Sequence, residues 1–140
     1  MNFMANRKSL IIQANILKQY FPNSTIKTKK DDTLIWESRI QPTPLSAVYT
    51  VQVECRFFNK SQRLIVKVTN PFPLPLAEGK DKLPHVHSHE KQHLCLFYHG
   101  DFNYSKSFVK TIVPWASEWL LHYETWACTG VWNGGGIEHE

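Results

Sequence analysis

"AVYTVQVECRFF", residues 47–58, is the stretch on which the fold turns. Tyr49, Val51, Val53, Cys55 and Phe57 occupy one set of alternate positions, and Thr50, Gln52, Glu54 and Arg56 the other. That period of two marks a strand with one face on a core and the other toward water, and it makes Cys55 a core residue. Its neighbours "TLIWESRI" (33–40) and "QRLIVKVTN" (62–70) are also rich in β-branched and aromatic residues, and turn-like "QPTPLS" and "NKS" separate the three runs. The residues therefore predict three antiparallel strands in a meander.

Working outward from the meander, Leu10, Ile11, Ala14, Leu17 and Phe21 recur at helical spacing before Pro22, which predicts an amphipathic first helix. Beyond the strands, "PFPLPLAEGKDKLP" (71–84) holds four prolines, too many for a central strand, so an extended, stiff crossing is expected. From Ile112 to Thr129, Trp115, Trp119, Tyr123 and Trp126 recur at helical spacing, with Pro114 near the start and Gly130 just past the end. These signals predict a second helix, with its aromatics mostly in the core and Trp132 the best placed for the surface. The order is an α+β layout, followed by "NGGGIEHE" (133–140) as a flexible tail.

With 140 residues and 42% apolar composition, the expectation is a single domain with one core and no disordered chain. The net charge of +4 is scattered; its one cluster, Lys27, Lys29 and Lys30, runs straight into Asp31 and Asp32 and reads as a solvated turn, so no nucleic-acid partner is expected. The apolar stretch near the N-terminus is broken by Gln13, Asn15 and Lys18, which excludes a signal segment or a membrane span there. Cys55, Cys95 and Cys128 are odd in number and lack a CxxC pair, an arrangement suited to a reducing, cytoplasmic compartment. "NGGGIEHE" follows no strand and opens no helix, so no phosphate-binding loop and no cofactor is expected.

"HVHSHEKQHLCLF" (85–97) gathers four of the seven histidines and one cysteine. Three readings compete. Zinc accepts such ligands, yet the run lacks two separated ligand pairs or a helical HExxH. Polar loop histidines beside a buried strand cysteine form the plainest reading. The third is a reactive thiol, which needs partial exposure and donors for an oxyanion; Cys95, beside a loop of imidazoles, meets that need better than Cys55 or Cys128.

The register of this run resembles ubiquitin-conjugating enzymes, the E2 family, in which a His-Pro-Asn tripeptide precedes the active cysteine. His85 stands ten residues and His87 eight residues before Cys95, with Leu94 and Leu96 flanking it. The order of elements is also similar: first helix, a strand containing Trp36, meander, "NPFPLPL" crossing, cysteine segment, helix. The resemblance implies an E2 fold with a four-stranded meander, truncated after the second helix. It implies a Cys95 nucleophile, His87 in the place of the oxyanion-stabilising Asn, and His85 as a brace of the loop. Val86 replaces the Pro, and Asn103, Ser105 and Phe97 replace residues that usually follow the cysteine. The short form and "HYETWACTGVWNGGG" look similar to the stand-alone E2-like protein of short type II CBASS operons, bacterial antiphage systems that signal through cyclic oligonucleotides. That likeness implies an E2-like transferase whose acyl donor is the C-terminus of a cGAS-like nucleotidyltransferase, with activation, if needed, by a separate protein. A non-catalytic binding module on the same fold, or a zinc protein, is the alternative; His89 and His93 receive no role.

Overall fold

The computed structural model describes residues 3–29, 32–58, 61–97 and 107–134. Helix α1 (Phe3–Tyr20) leads into a sheet of β1 (Thr25–Lys29), β2 (Thr33–Ile40), β3 (Tyr49–Phe58) and β4 (Ser61–Asn70), antiparallel throughout in the order β1-β2-β3-β4. A small hairpin of β5 (Val86–Ser88) and β6 (His93–Leu94) follows, then helix α2 (Ile112–Thr129). The α+β layout and the meander read from residues 47–58 are both present.

Strand β3 behaves as its alternation requires: Tyr49, Val51, Val53 and Cys55 are buried, and Thr50, Gln52, Glu54 and Arg56 are half-exposed. Cys55 faces Leu34 of β2 and Leu64 of β4 in register. Its thiol lies in a core shared with Leu17, Trp36, Val66, Leu120 and Trp119, where nothing polar offsets ionisation, so burial pushes it far above the ordinary thiol range.

Two expectations are corrected. Lys27 and Lys29 are solvated as expected but lie on β1, a strand whose side chains are mostly exposed, not in a turn, while Lys30 and Asp31 lie outside the described residues. With Ile26 its only apolar residue, β1 has too little hydrophobic patterning to be recognised. Its lysines suit an edge strand, where charge discourages pairing with other chains. The first helix begins seven residues before Leu10, and its inner face is rotated from the expected one. Leu10, Gln13 and Leu17 are buried, whereas Ile11 is exposed. Gln13 is admitted because its Oε1 accepts the Phe108 N–H at 3.0 Å, and a buried amide so satisfied no longer carries a large desolvation cost.

Helix α2 buries Ile112, Val113, Ala116, Trp119, Leu120, Tyr123 and Trp126. It ends at Gly130, which adopts φ 76° and donates its N–H to Trp126 O at 2.7 Å, a left-handed cap that favours glycine. Glu124 ties this helix to the β2–β3 connection by accepting from Ser46 Oγ (2.6 Å), Ala47 N–H (3.1 Å) and Tyr49 O–H (2.9 Å). Among the described residues no helix is long and apolar enough to cross a membrane.

Candidate active site

Residues 71–85 contain no strand, as their prolines require, and they wrap over α2 instead. Leu74, Ala77 and Leu83 are buried, and Tyr123 O–H donates to Pro75 O at 2.6 Å. The crossing is pinned to the next segment by Gln92, whose Oε1 accepts the Leu74 N–H at 2.7 Å. Gln92 is itself buried, with φ 52°. A non-glycine residue in this region costs local energy, which surrounding contacts must hold. In the same turn, Ser88 Oγ accepts the Lys91 N–H at 3.1 Å.

The hairpin built on this turn presents Cys95. Val86 and Leu94 pair across β5 and β6, both fully buried, and anchor it in the core. One step outward, the Cys95 N–H donates to His85 O at 3.0 Å. The same carbonyl accepts the Trp119 indole N–H at 3.1 Å. The α2 helix, the start of the hairpin and the cysteine are thus joined at one oxygen. Because the Cys95 amide is already used, an oxyanion forming near the thiol must draw its donors from elsewhere.

The histidines at 85, 87 and 89 do not share one side, as a fully extended run would place them. His85 is buried with φ 51°, which breaks the alternation, and its ring packs on Trp132 at a centroid distance of 4.8 Å. His87 is exposed on β5. His89 lies in the turn, with its Nδ1 shielded from solvent and without a hydrogen-bond partner among the described residues. His93 is half-exposed on β6 near Lys67, Lys91, Arg63 and His87. Partial burial, then those positive neighbours, lower its pKa and favour the neutral imidazole.

Cys95 is half-buried, between inert Cys55 and exposed Cys128. Its Sγ lies 3.8 Å from Phe97 O. Burial pushes the thiol above its ordinary range, and a backbone hydrogen bond at Phe97 only partly offsets that. The resting sulfur is therefore protonated near neutral pH, and nucleophilic attack requires a base or a change of surroundings. Among the described residues no three of His, Cys, Asp and Glu come together as a metal site, so the zinc reading finds no ligand set there.

The family model of the "Type II CBASS E2 protein" matches residues 13–140. The chain belongs to this family. No curated protein matches it. Membership accounts for the α+β architecture and places this CBASS E2 protein in an antiviral defence system. Within it, His85 and Cys95 are brought together through the backbone, while His87 stands on the exposed side of β5. Asn103 and Ser105, which differ from the wider E2 pattern, lie outside the described residues, as do 135–140 of the glycine tail. Three supports escaped the reading of the CBASS E2 sequence: Gln92, the Trp119 indole N–H and Glu124. Trp119 carried a helical-spacing signal for the core but none for its polar edge, and Gln92 and Glu124 carried none.

Proposed function

We propose that this CBASS E2 protein is a cysteine acyltransferase. In the first step the Cys95 sulfur attacks the carbonyl carbon of an activated C-terminal carboxyl. The C–S bond forms, the donor's leaving group departs with the pair of electrons of the broken bond, and the thiol proton passes to base or leaving group. In the second step a lysine amine attacks the thioester carbon, Cys95 leaves as its thiol, and an isopeptide bond remains. The acyl donor is the C-terminus of a cGAS-like nucleotidyltransferase of the same defence system, activated by a separate protein where activation is needed.

The observation that carries this reading is the placement of Cys95 in a chain of the E2 family: half-exposed, at the end of a hairpin anchored in the core, and held by the His85 carbonyl. In this scheme His85 braces the loop. His87 donates to the tetrahedral oxyanion, a role left open because the Cys95 N–H is engaged with His85 O. His93, kept neutral by partial burial and cationic neighbours, is in the form that accepts a proton from the incoming amine.

Intact-protein mass spectrometry with the partner and its activating protein tests the reading. Cys95→Ser is expected to trap a stable ester or to lose the adduct, and an undiminished adduct on Cys95→Ala refutes the assignment. The protonated, partly buried thiol also favours a second reading, a binding module that holds its partner beside Cys95 without acylation. Full activity of the defence system with Cys95→Ala selects that module over the enzyme.

A further inference from the structure

Between the end of the Pro-rich crossing and the C-terminal end of α2 lies a half-open recess of about 310 Å³. Its rim carries Lys80, Asp81 and Lys82, all exposed, and its floor and wall carry Trp126 and Trp132. His89 and His85 complete the side toward the hairpin. We propose that this recess binds a peptide segment bearing a carboxylate next to an apolar side chain.

The chemistry of the rim selects that ligand. Two lysines flanking one aspartate give a site with a net positive charge but a fixed negative group in its middle. Asp81 repels any anion, and repels a multiply charged phosphate or a nucleic-acid backbone more than a single carboxylate. A peptide carboxylate pairs with the lysines while its own backbone N–H groups have Asp81 to donate to. The half-buried indole of Trp132 and the small exposed edge of the buried Trp126 supply the apolar part of an otherwise polar lining, enough to meet one side chain. Trp132 is held in place: it packs on His85 and on Trp119 (centroids 4.8 and 5.4 Å apart), and Gly134 approaches so closely that a Cβ there would lie 2.9 Å from its Nε1. The site adjoins the thiol through His85, whose ring lines the recess and whose carbonyl holds the Cys95 amide. It does not depend on thioester formation.

The test uses the full chain without any acyl donor. Acetyl-Leu-Glu-Leu-Glu-amide and its uncharged twin acetyl-Leu-Gln-Leu-Gln-amide are titrated while the indole N–H signals of Trp126 and Trp132 and the His89 ring signals are followed by NMR. The acidic peptide is expected to shift these signals and to bind about tenfold more tightly than the neutral one, the factor that one charge-assisted contact supplies. Lys80→Glu with Lys82→Glu, both at exposed positions where folding is not at stake, is expected to abolish that preference. Equal binding of the two peptides, shifts confined to other residues, or stronger displacement of these signals by tripolyphosphate overturns the proposal.

Discussion

Each of the three cysteines sits in a different physical setting, and their reactivities follow. Cys128 is exposed near the end of α2, Cys95 is half-buried, and Cys55 is sealed between β2 and β4. Burial raises the Cys95 thiol, which leaves less thiolate at any given pH. With iodoacetamide at pH 8, peptide mapping is expected to show Cys128 modified first. Cys95, half-buried and with its thiol raised by burial, should follow more slowly, with Cys55 modified only after unfolding. Faster labelling at Cys95 than at Cys128 contradicts the burial of the Cys95 thiol. His87 is the other residue whose role a single substitution separates. If its imidazole donates to the oxyanion, His87→Ala lowers single-turnover discharge of the thioester about a hundredfold, the usual loss for one such donor. His87→Asn, which restores a carboxamide donor, retains most of the rate. Equal rates for the two variants make His87 a bystander.

At the level of elements, the contact between α2 and the β2–β3 connection depends on one carboxylate. Glu124 accepts three hydrogen bonds there, and its negative charge helps to raise two tyrosines. Burial first, then the bond and charge of Glu124, push the Tyr49 hydroxyl well up; burial and then Glu124 raise Tyr123 to about 12. Glu124→Gln removes the charge and one acceptor oxygen. It is expected to cost about 1.5–3 kcal/mol in a urea titration, the range for one lost hydrogen bond to a charged group. Both tyrosines should also ionise at lower pH than in the parent, as read at 295 nm. An unchanged phenolate titration separates Glu124 from both rings. None of this was legible beforehand, because a glutamate on a helix carries no sign of which loop it will meet. The elements that were legible carried periodicity: β3 through its alternation, α2 through Trp119, Tyr123 and Trp126, and the crossing through its prolines. Strand β1 completes the four-stranded meander that the E2 resemblance implied, but the residues alone did not reveal it because five residues with a single isoleucine have no face to read, and α1 was misjudged in rotation because Gln13, a polar side chain, fills an inward position. At the candidate site, the register of His85 and His87 with Cys95 singled out the segment that folds as the β5–β6 hairpin. Spacing alone missed that His85 takes a left-handed backbone and turns its ring to Trp132, since tertiary packing overrides alternation.

At the scale of the whole molecule, the core is apolar enough that its one fully sealed thiol governs alkaline stability. Cys55 is 0% exposed and sits between Leu34 and Leu64, so the folded chain retains its proton at pH values where the unfolded chain, with an ordinary thiol near 8.5, releases it. The unfolded state then binds fewer protons than the folded one, and linkage makes stability fall as pH rises. The slope is about 1.4 kcal/mol per pH unit for each such group. Cys95, raised less strongly, acts in the same direction, and Tyr49 and Tyr123 join only above about pH 10, the ordinary phenol value. Urea midpoints are therefore expected to rise slightly from pH 6 to about 7, as the unfolded chain's His93 loses the proton the folded chain disfavours, and to decline from about 8.5 upward. Cys55→Ala leaves a small cavity and costs roughly 1 kcal/mol at pH 7. Between pH 9 and 10, however, its slope should be shallower than the parent's by about 1.4 kcal/mol per unit. Identical slopes in the two proteins would mean that the Cys55 thiol ionises in the folded state, which requires water to reach the centre of β3 and contradicts a core closed over that strand.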